Sequence, residues 1–199
     1  CQRRVGIAAI RRVSPTRGRC IQVDRDDGLY LVGRELIPTH NSEFVSRKLP
    51  AYLLGRYPKW PIIAATYGDD LTQLNGAAVR NILNSPAHRE VFPEAVIGPE
   101  SRAAMDFFTT TAGGRYLGTT VKGGATGFGA KVFIIDDPYK DRTEADSVTT
   151  RNHVWNGWFK PVVYTRLTQD SILIIMHTRR HEGDLTGQCL KELQHEGWE

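Results

Sequence analysis

With 199 residues, 40% hydrophobic and 24% charged, the chain has a globular composition and the length for one medium domain plus an appendage. Its three cysteines (Cys1, Cys20 and Cys189) are odd in number and lack CxxC spacing, which argues against a disulfide scaffold or a zinc ribbon and fits a reducing cytosol. No apolar run approaches a membrane span, the Arg-rich start has no apolar core behind it as a signal peptide would, and a net charge of +4 permits contact with nucleic acid without demonstrating it.

In chain order, residues 5–13 and 19–24 read as strands joined through Ser14-Pro15 and Gly18, with shorter strands at 29–32 and 36–37. The arginines of this stretch (Arg3, Arg4, Arg11, Arg12, Arg17, Arg19, Arg25, Arg34) read as a solvated strand face rather than a nucleic-acid site. From Ser42 the period changes. Phe44, Val45, Lys48, Leu49, Tyr52 and Leu53 recur at helical spacing, so Ser42 stands at or near a helix start. Residues 61–66 form a short apolar strand, and 69–83 a helix with Asp69 or Asp70 as N-cap. Residues 104–110 and 115–120 pair as a hairpin across Ala112-Gly113-Gly114. A fully apolar strand at 132–135, a helix at 144–158, a third apolar strand at 171–176 and a closing helix at 184–194 complete the chain. Buried strands alternating with helices predict an α/β fold with a parallel sheet.

Two places carry chemistry. The first is His40-Asn41-Ser42. An Asn side-chain amide can attack its own carbonyl carbon, close a succinimide and release the next residue. The adjacent imidazole can give a proton to the departing amine, and the Ser42 hydroxyl can accept an acyl group once a base activates it. The second is Lys131-Val-Phe-Ile-Ile-Asp-Asp-Pro138. An apolar strand ending in two acids puts carboxylates at the C-terminal edge of a sheet, where α/β proteins bind ligands. Hard oxygen ligands there suit Mg²⁺. The bland alternative is a polar strand end followed by a Pro-containing turn.

The order Arg19-Cys-Ile-Gln-Val-Asp24, Gly28-Leu-Tyr-Leu-Val32 and Leu36-Ile-Pro-Thr-His-Asn-Ser42 resembles the two C-terminal blocks of an intein. The resemblance implies a small all-β, Hint-type splicing segment at 1–41. In it Asn41 cyclises, His40 assists and Ser42 is the first host residue and acyl acceptor. Cys20 and Thr39 match an intein class whose first nucleophile is an internal cysteine, although ordinary inteins share these positions; a small buried strand residue is the plainer reading of Cys20. No Thr-x-x-His block or starting nucleophile fits in this stretch. It reads as the C-terminal piece of a split intein, which needs a complementary N-terminal segment, or as a truncated reading frame.

Residues 42–199 resemble the ATPase half of a phage terminase large subunit. The likeness runs through 42–56, Ala64-Ala-Thr-Tyr67, Thr126-Gly-Phe-Gly-Ala130, Ile134-Ile-Asp-Asp-Pro138, 140–146, 164–167 and Ile175-Met-His-Thr-Arg-Arg-His-Glu-Gly-Asp-Leu185. It implies a P-loop (RecA-like, ASCE) NTPase core without its first strand and phosphate loop. No GxxxxGK[ST] run is present; an intein interrupting that loop between its Lys and its hydroxyl residue would make Ser42 the hydroxyl, restored by splicing. By the resemblance, Ser42 and Asp136 attend Mg²⁺ and ATP, Asp137 is the catalytic carboxylate and Thr178 couples hydrolysis to movement. The implied partners are double-stranded viral DNA, the portal and the small terminase subunit. Homo-oligomeric assembly in the cytoplasm of a bacterial host is implied with them.

One departure from the family is Arg180, where a Trp is usual. His177 and His181 are four apart but lack an HExxH context, and Trp155 and Trp158 read as core or interface packing. Arg142, Arg151, Arg166 and Arg179 each could serve as an arginine finger. The rival expectations are a non-catalytic DNA-binding or assembly module of the same fold, and a degenerate gene remnant.

Overall fold

The computed structural model describes residues 30–32, 37–39, 42–101, 106–125, 127 and 129–193. The predicted strands at 5–13 and 19–24, and with them Cys20, His40 and Asn41, lie outside the described residues. In the N-terminal stretch, β1 (Tyr30–Val32) and β2 (Ile37–Thr39) pair antiparallel, with Tyr30 opposite Thr39 and Val32 opposite Ile37.

After Ser42 the chain enters a helix. Glu43–Lys48 is wound in wide turns, the Leu49 N–H reaching back five residues to the Phe44 carbonyl, and it runs on into the regular helix α1 (Leu49–Arg56). Pro50 sits at this junction and offers no N–H to the preceding turn, which accompanies the change from wide to regular winding. The strand β3 (Pro61–Thr66) follows, then α2 (Asp69–Asn84) and α3 (Pro86–Val91). The N-cap of α2 is Gly68, in extended conformation, not Asp69 or Asp70. Both acids fall in the first turn instead, where their charge complements the helix dipole.

The strands β4 (Phe107–Thr109) and β5 (Arg115–Thr120) form the predicted antiparallel pair, and Gly113 takes the positive φ of 95° that the turn between them requires. Next comes β6 (Ala130–Asp136). The single helix predicted for 144–158 is instead three pieces: α4 (Arg142–Asp146), α5 (Val148–Asn152) and a wide-turned helix, His153–Val163. The break is Ser147. Its backbone turns extended (ψ 117°) and its Oγ accepts the Thr150 N–H, which restarts the helix with a new cap. The chain ends, among the described residues, with β7 (Leu167–Met176) and α6 (Leu185–Glu192), whose N-cap is Asp184.

The result is an α/β fold. Its five-stranded sheet has the order β4-β5-β3-β6-β7, with β5, β3, β6 and β7 parallel and β4 antiparallel at one edge. Alternation along the strands divides the core in two. Ile62, Ala64, Val132 and Ile134 face α1 and α2, packing with Ala51, Leu54, Val79, Leu83, Phe108 and Tyr116. Ile63, Ala65, Phe133 and Ile135 face the other side, with Trp155, Trp158, Phe159, Val163 and Leu185. Each buried Ile or Phe contributes about 1.5–3 kcal/mol of transfer free energy, which ties helices to both faces. Trp155 and Trp158 are core residues, as their spacing predicted.

Candidate functional site at the carboxyl edge of the sheet

Asp136 is the last residue of β6 and continues the parity of Val132 and Ile134, so it falls on the α1 side of the sheet. It is 2% exposed. Two serines from the start of the Ser42 helix meet it. Ser42 Oγ donates to Asp136 Oδ1 at 3.3 Å, and Ser46 Oγ donates to Oδ2 at 2.5 Å. Residues four apart on a helix share a face, which is how one turn delivers both hydroxyls to one carboxylate. The helix is held in that rotation by Arg47, whose Nε donates to Asn75 Oδ1 on α2 at 2.9 Å and whose guanidinium pairs with Glu43 at 2.8 Å.

The negative charge of this carboxylate is felt inside the core. The Tyr116 hydroxyl is fully buried and has no hydrogen-bond partner among the described residues. Burial first, then the charges of Asp106 and Asp136, push its pKa well above the ordinary phenol range.

Asp137 follows in a left-handed conformation (φ 46°), the one such non-glycine position among the described residues. Asp tolerates this region better than most residues, and such positions gather at functional sites. Its N–H donates to the Met176 carbonyl at 2.9 Å, so the ends of β6 and β7 are tied just where the two acids emerge. Beside them α2 is locked to the sheet by hydroxyls. Thr72 Oγ1 lies 2.8 Å from Thr66 Oγ1 and donates to the Thr119 carbonyl at 3.0 Å. A cleft of about 250 Å³ opens at the same edge, lined by Tyr67, Lys122, Pro138, Thr150 and His153 among others.

Of the predicted site residues, Ser42 and Asp136 are in contact and Asp137 is next to them in the chain. Thr178 lies two residues beyond the end of β7, exposed. Thr39 lies in β2. His177 Nε2 is 2.7 Å from Thr186 Oγ1 and His181 Nδ1 accepts the Gly183 N–H, so each imidazole has a structural partner. Among the described residues no group of three or more His, Cys, Asp or Glu is placed to hold a metal. Of the candidate finger arginines, Arg142 pairs with Asp146, Arg151 donates to the Ala145 carbonyl, and Arg179 pairs with the buried Asp184. Sequence reasoning missed Ser46. Spacing puts its hydroxyl on the face of Ser42, but only the packing of that face against β6 gives it a partner.

No described helix is long and apolar enough to cross a membrane. No protein-family model matches the chain, and no curated protein matches it. A weak, distant structural similarity links it to the structure titled "Crystal structure of the HK97 bacteriophage large terminase", with a TM-score of 0.48 and 14% identity over 79% of this chain. The match spans 31% of that protein's length. At that distance the chemistry of the carboxyl edge rests on its own geometry and on the sequence.

Proposed function

We propose that residues 42–199 are the host part of a nucleotide-hydrolysing motor of the terminase type, and residues 1–41 the C-terminal segment of an intein that excises itself at Asn41–Ser42. The observation that carries the motor reading is the contact of Ser42 Oγ with Asp136 Oδ1 at the carboxyl edge of a largely parallel sheet, at the first turn of a helix. A residue needed as acyl acceptor in splicing is the same residue that meets the strand-end acid. The edge strand β7 adds support. Ile172–Met176 is apolar on both faces, the pattern of a strand with neighbours on both sides, yet among the described residues it pairs with β6 alone, and Ile172 is 45% exposed. A core lacking one strand has this appearance.

Ser42 Oγ and the Asp136 carboxylate are hard oxygen donors side by side, a set that fits Mg²⁺, which keeps several waters and takes its other ligands from phosphate. The residues present do not cradle the phosphates of ATP, because no Gly-rich loop ending in Gly-Lys precedes Ser42. In this reading splicing supplies that loop. Magnesium, when bound, neutralises charge on the phosphates. Asp136 and Ser42 hold its position. Asp137, next to them, orients a water and takes its proton. Double-stranded DNA is the substrate moved, with Thr178 relaying the nucleotide state, and portal, small subunit and further copies of the chain complete the assembly.

Two substitutions test the two halves. In a splicing assay with a complementary N-terminal segment, Asn41→Ala stops release of the 42–199 product; unchanged release removes the intein assignment. In the spliced, full-length protein, Asp137→Asn abolishes ATP turnover and leaves Mg·ATP binding intact; retained turnover removes the catalytic assignment.

A further inference from the structure

Building on the magnesium-site reading, we infer that Ser46 is the positioning residue of the site: it fixes the Asp136 carboxylate, and Ser42 is the exchangeable partner. The two hydroxyls are not equivalent. Ser46 is 1% exposed and donates at 2.5 Å, whereas Ser42 is half-buried and donates at 3.3 Å. A short hydroxyl–carboxylate bond away from water is the stronger kind, and water does not compete for it. The longer, more accessible one is the bond that yields when a cation arrives.

Arg47, the next residue, holds Ser46 in place. The Arg47 guanidinium anchors the same helical turn to Asn75 on α2, so rotating Ser46 away from β6 would break that bond, while its pair with Glu43 one turn back keeps the guanidinium in place. Asn75 itself is buried. Ser46 thus determines which way Asp136 presents Oδ1 to Ser42 and to the open edge. Its role is indirect, through the rotamer of the carboxylate it bonds.

The test uses the 199-residue chain and two readouts. The Asp136 χ1 rotamer is measured by NMR scalar couplings, and Mn²⁺ binding is followed by the loss of its free-ion EPR signal. The wild type and Ser46→Thr are expected to show one χ1 rotamer and equal Mn²⁺ affinity. Ser46→Ala is expected to average χ1 and weaken Mn²⁺ by about tenfold, the scale of one lost charge-assisted hydrogen bond. Ser42→Ala is expected to weaken Mn²⁺ while χ1 stays single. A single rotamer and wild-type Mn²⁺ affinity in Ser46→Ala overturn the inference. Should Ser46→Ala not fold, Ser46→Cys, close in shape with a weaker donor, carries the test with the same two expectations. If the wild type binds Mn²⁺ no better than Asp136→Asn, the magnesium reading fails. The χ1 comparison then still decides whether Ser46 fixes the acid.

Discussion

On one face of the sheet Ile63, Ala65, Phe133 and Ile135 meet Trp155, Trp158, Phe159 and Val163; on the other Ile62, Ala64, Val132 and Ile134 meet Ala51, Leu54, Val79 and Leu83. The strands are shared, and the apolar residues alternate without a break. The faces part company at the carboxyl edge. One residue past Ile135 the α1 face receives Asp136, with Ser42 and Ser46 above it, and farther along that side lie the His88 ring and the Tyr116 hydroxyl. The opposite face closes on stacked aromatics, Trp155 against Phe159 at 4.9 Å and Trp158 edge-on to Phe133 at 6.3 Å. A strand two residues out of step would have carried its terminal acid to the same side, and one residue out of step to the other. Parity alone decides which layer of helices can become a site, and here it assigns the site to the helix that begins at Ser42.

The largest effect should come from the aromatic face. Trp158 is 1% exposed, and its removal leaves a void that its packed neighbours fill only in part. Trp158→Ala is expected to cost about 3–5 kcal/mol by chemical denaturation. Trp158→Phe should cost well under half of that, because Nε1 has no hydrogen-bond partner among the described residues and the edge contact with Phe133 survives. If Phe costs as much as Ala, the face depends on something other than apolar volume.

On the α1 face the sensitive quantity is crowding. A Cβ on Gly55 would stand 2.6 Å from the Phe92 ring and 3.0 Å from His88 Nε2. In an open helix Gly→Ala gains about 1 kcal/mol. Here Gly55→Ala should instead cost about 1–3 kcal/mol, the usual range for overpacking. Adding Phe92→Leu, which frees the space, should recover part of the loss. A simple sum of the two single effects would mean that the contact is not tight.

His88 gives the same face a pH dependence. Burial lowers its pKa below the ordinary 6.5, and the bond between Nε2 and the Ala51 carbonyl (3.1 Å) opposes the shift only in part. Nδ1 has no partner among the described residues. The folded state therefore resists a proton that the unfolded chain accepts. Stability contributed by the neutral ring is complete above pH 6.5 and is lost as the pH falls from 6.5 toward the lower folded value. The denaturation midpoint of the wild type should drop between pH 7 and pH 5.5 by more than that of His88→Gln. Parallel curves would place the acid sensitivity elsewhere.

Much of this division was legible beforehand, and particular residues show why. The runs 61–65 and 132–135 are apolar at every position, so strands buried on both sides were the only economical reading. Asp136 and Asp137 at a strand end pointed to the ligand edge, and the change of period at Ser42 marked a helix start. The break at Ser147 was not legible, because an apolar helical spacing continues across it and the interruption comes from a side-chain cap that competes with the helix. Ser46 was overlooked because a lone serine in an amphipathic helix has no pattern of its own. It acquires meaning only when the helix lies against β6, a contact between residues 90 positions apart. The wide turns at Glu43–Lys48 and His153–Val163 have no sequence sign beyond Pro161, which cannot donate to a regular ladder.

The smallest effect on stability, and the clearest contrast in chemistry, belongs to Cys189 on the aromatic face. It is 5% exposed on α6, and burial, aided by the charge of Asp184, pushes its thiol up to about 12. A thiol reacts as its thiolate, so at pH 8 almost none of the reactive form exists in the folded protein. Iodoacetamide at that pH should leave the Cys189 peptide unmodified under native conditions and label it fully in denaturant, as read by mass spectrometry. The ionisation also sets a sign. Above the ordinary thiol pKa of 9 the unfolded chain loses this proton and the folded chain keeps it, so stability falls as the pH rises from 9 toward 12. Cys189→Ala should remove the part of that loss that sets in between pH 9 and 10, below the range where the buried Tyr116 and Tyr139 phenols add theirs, while leaving the acid limb of His88 untouched. Fast native labelling would show that the aromatic face opens to water far more often than its packing allows, and the contrast between a dry face and a polar one would lose its basis.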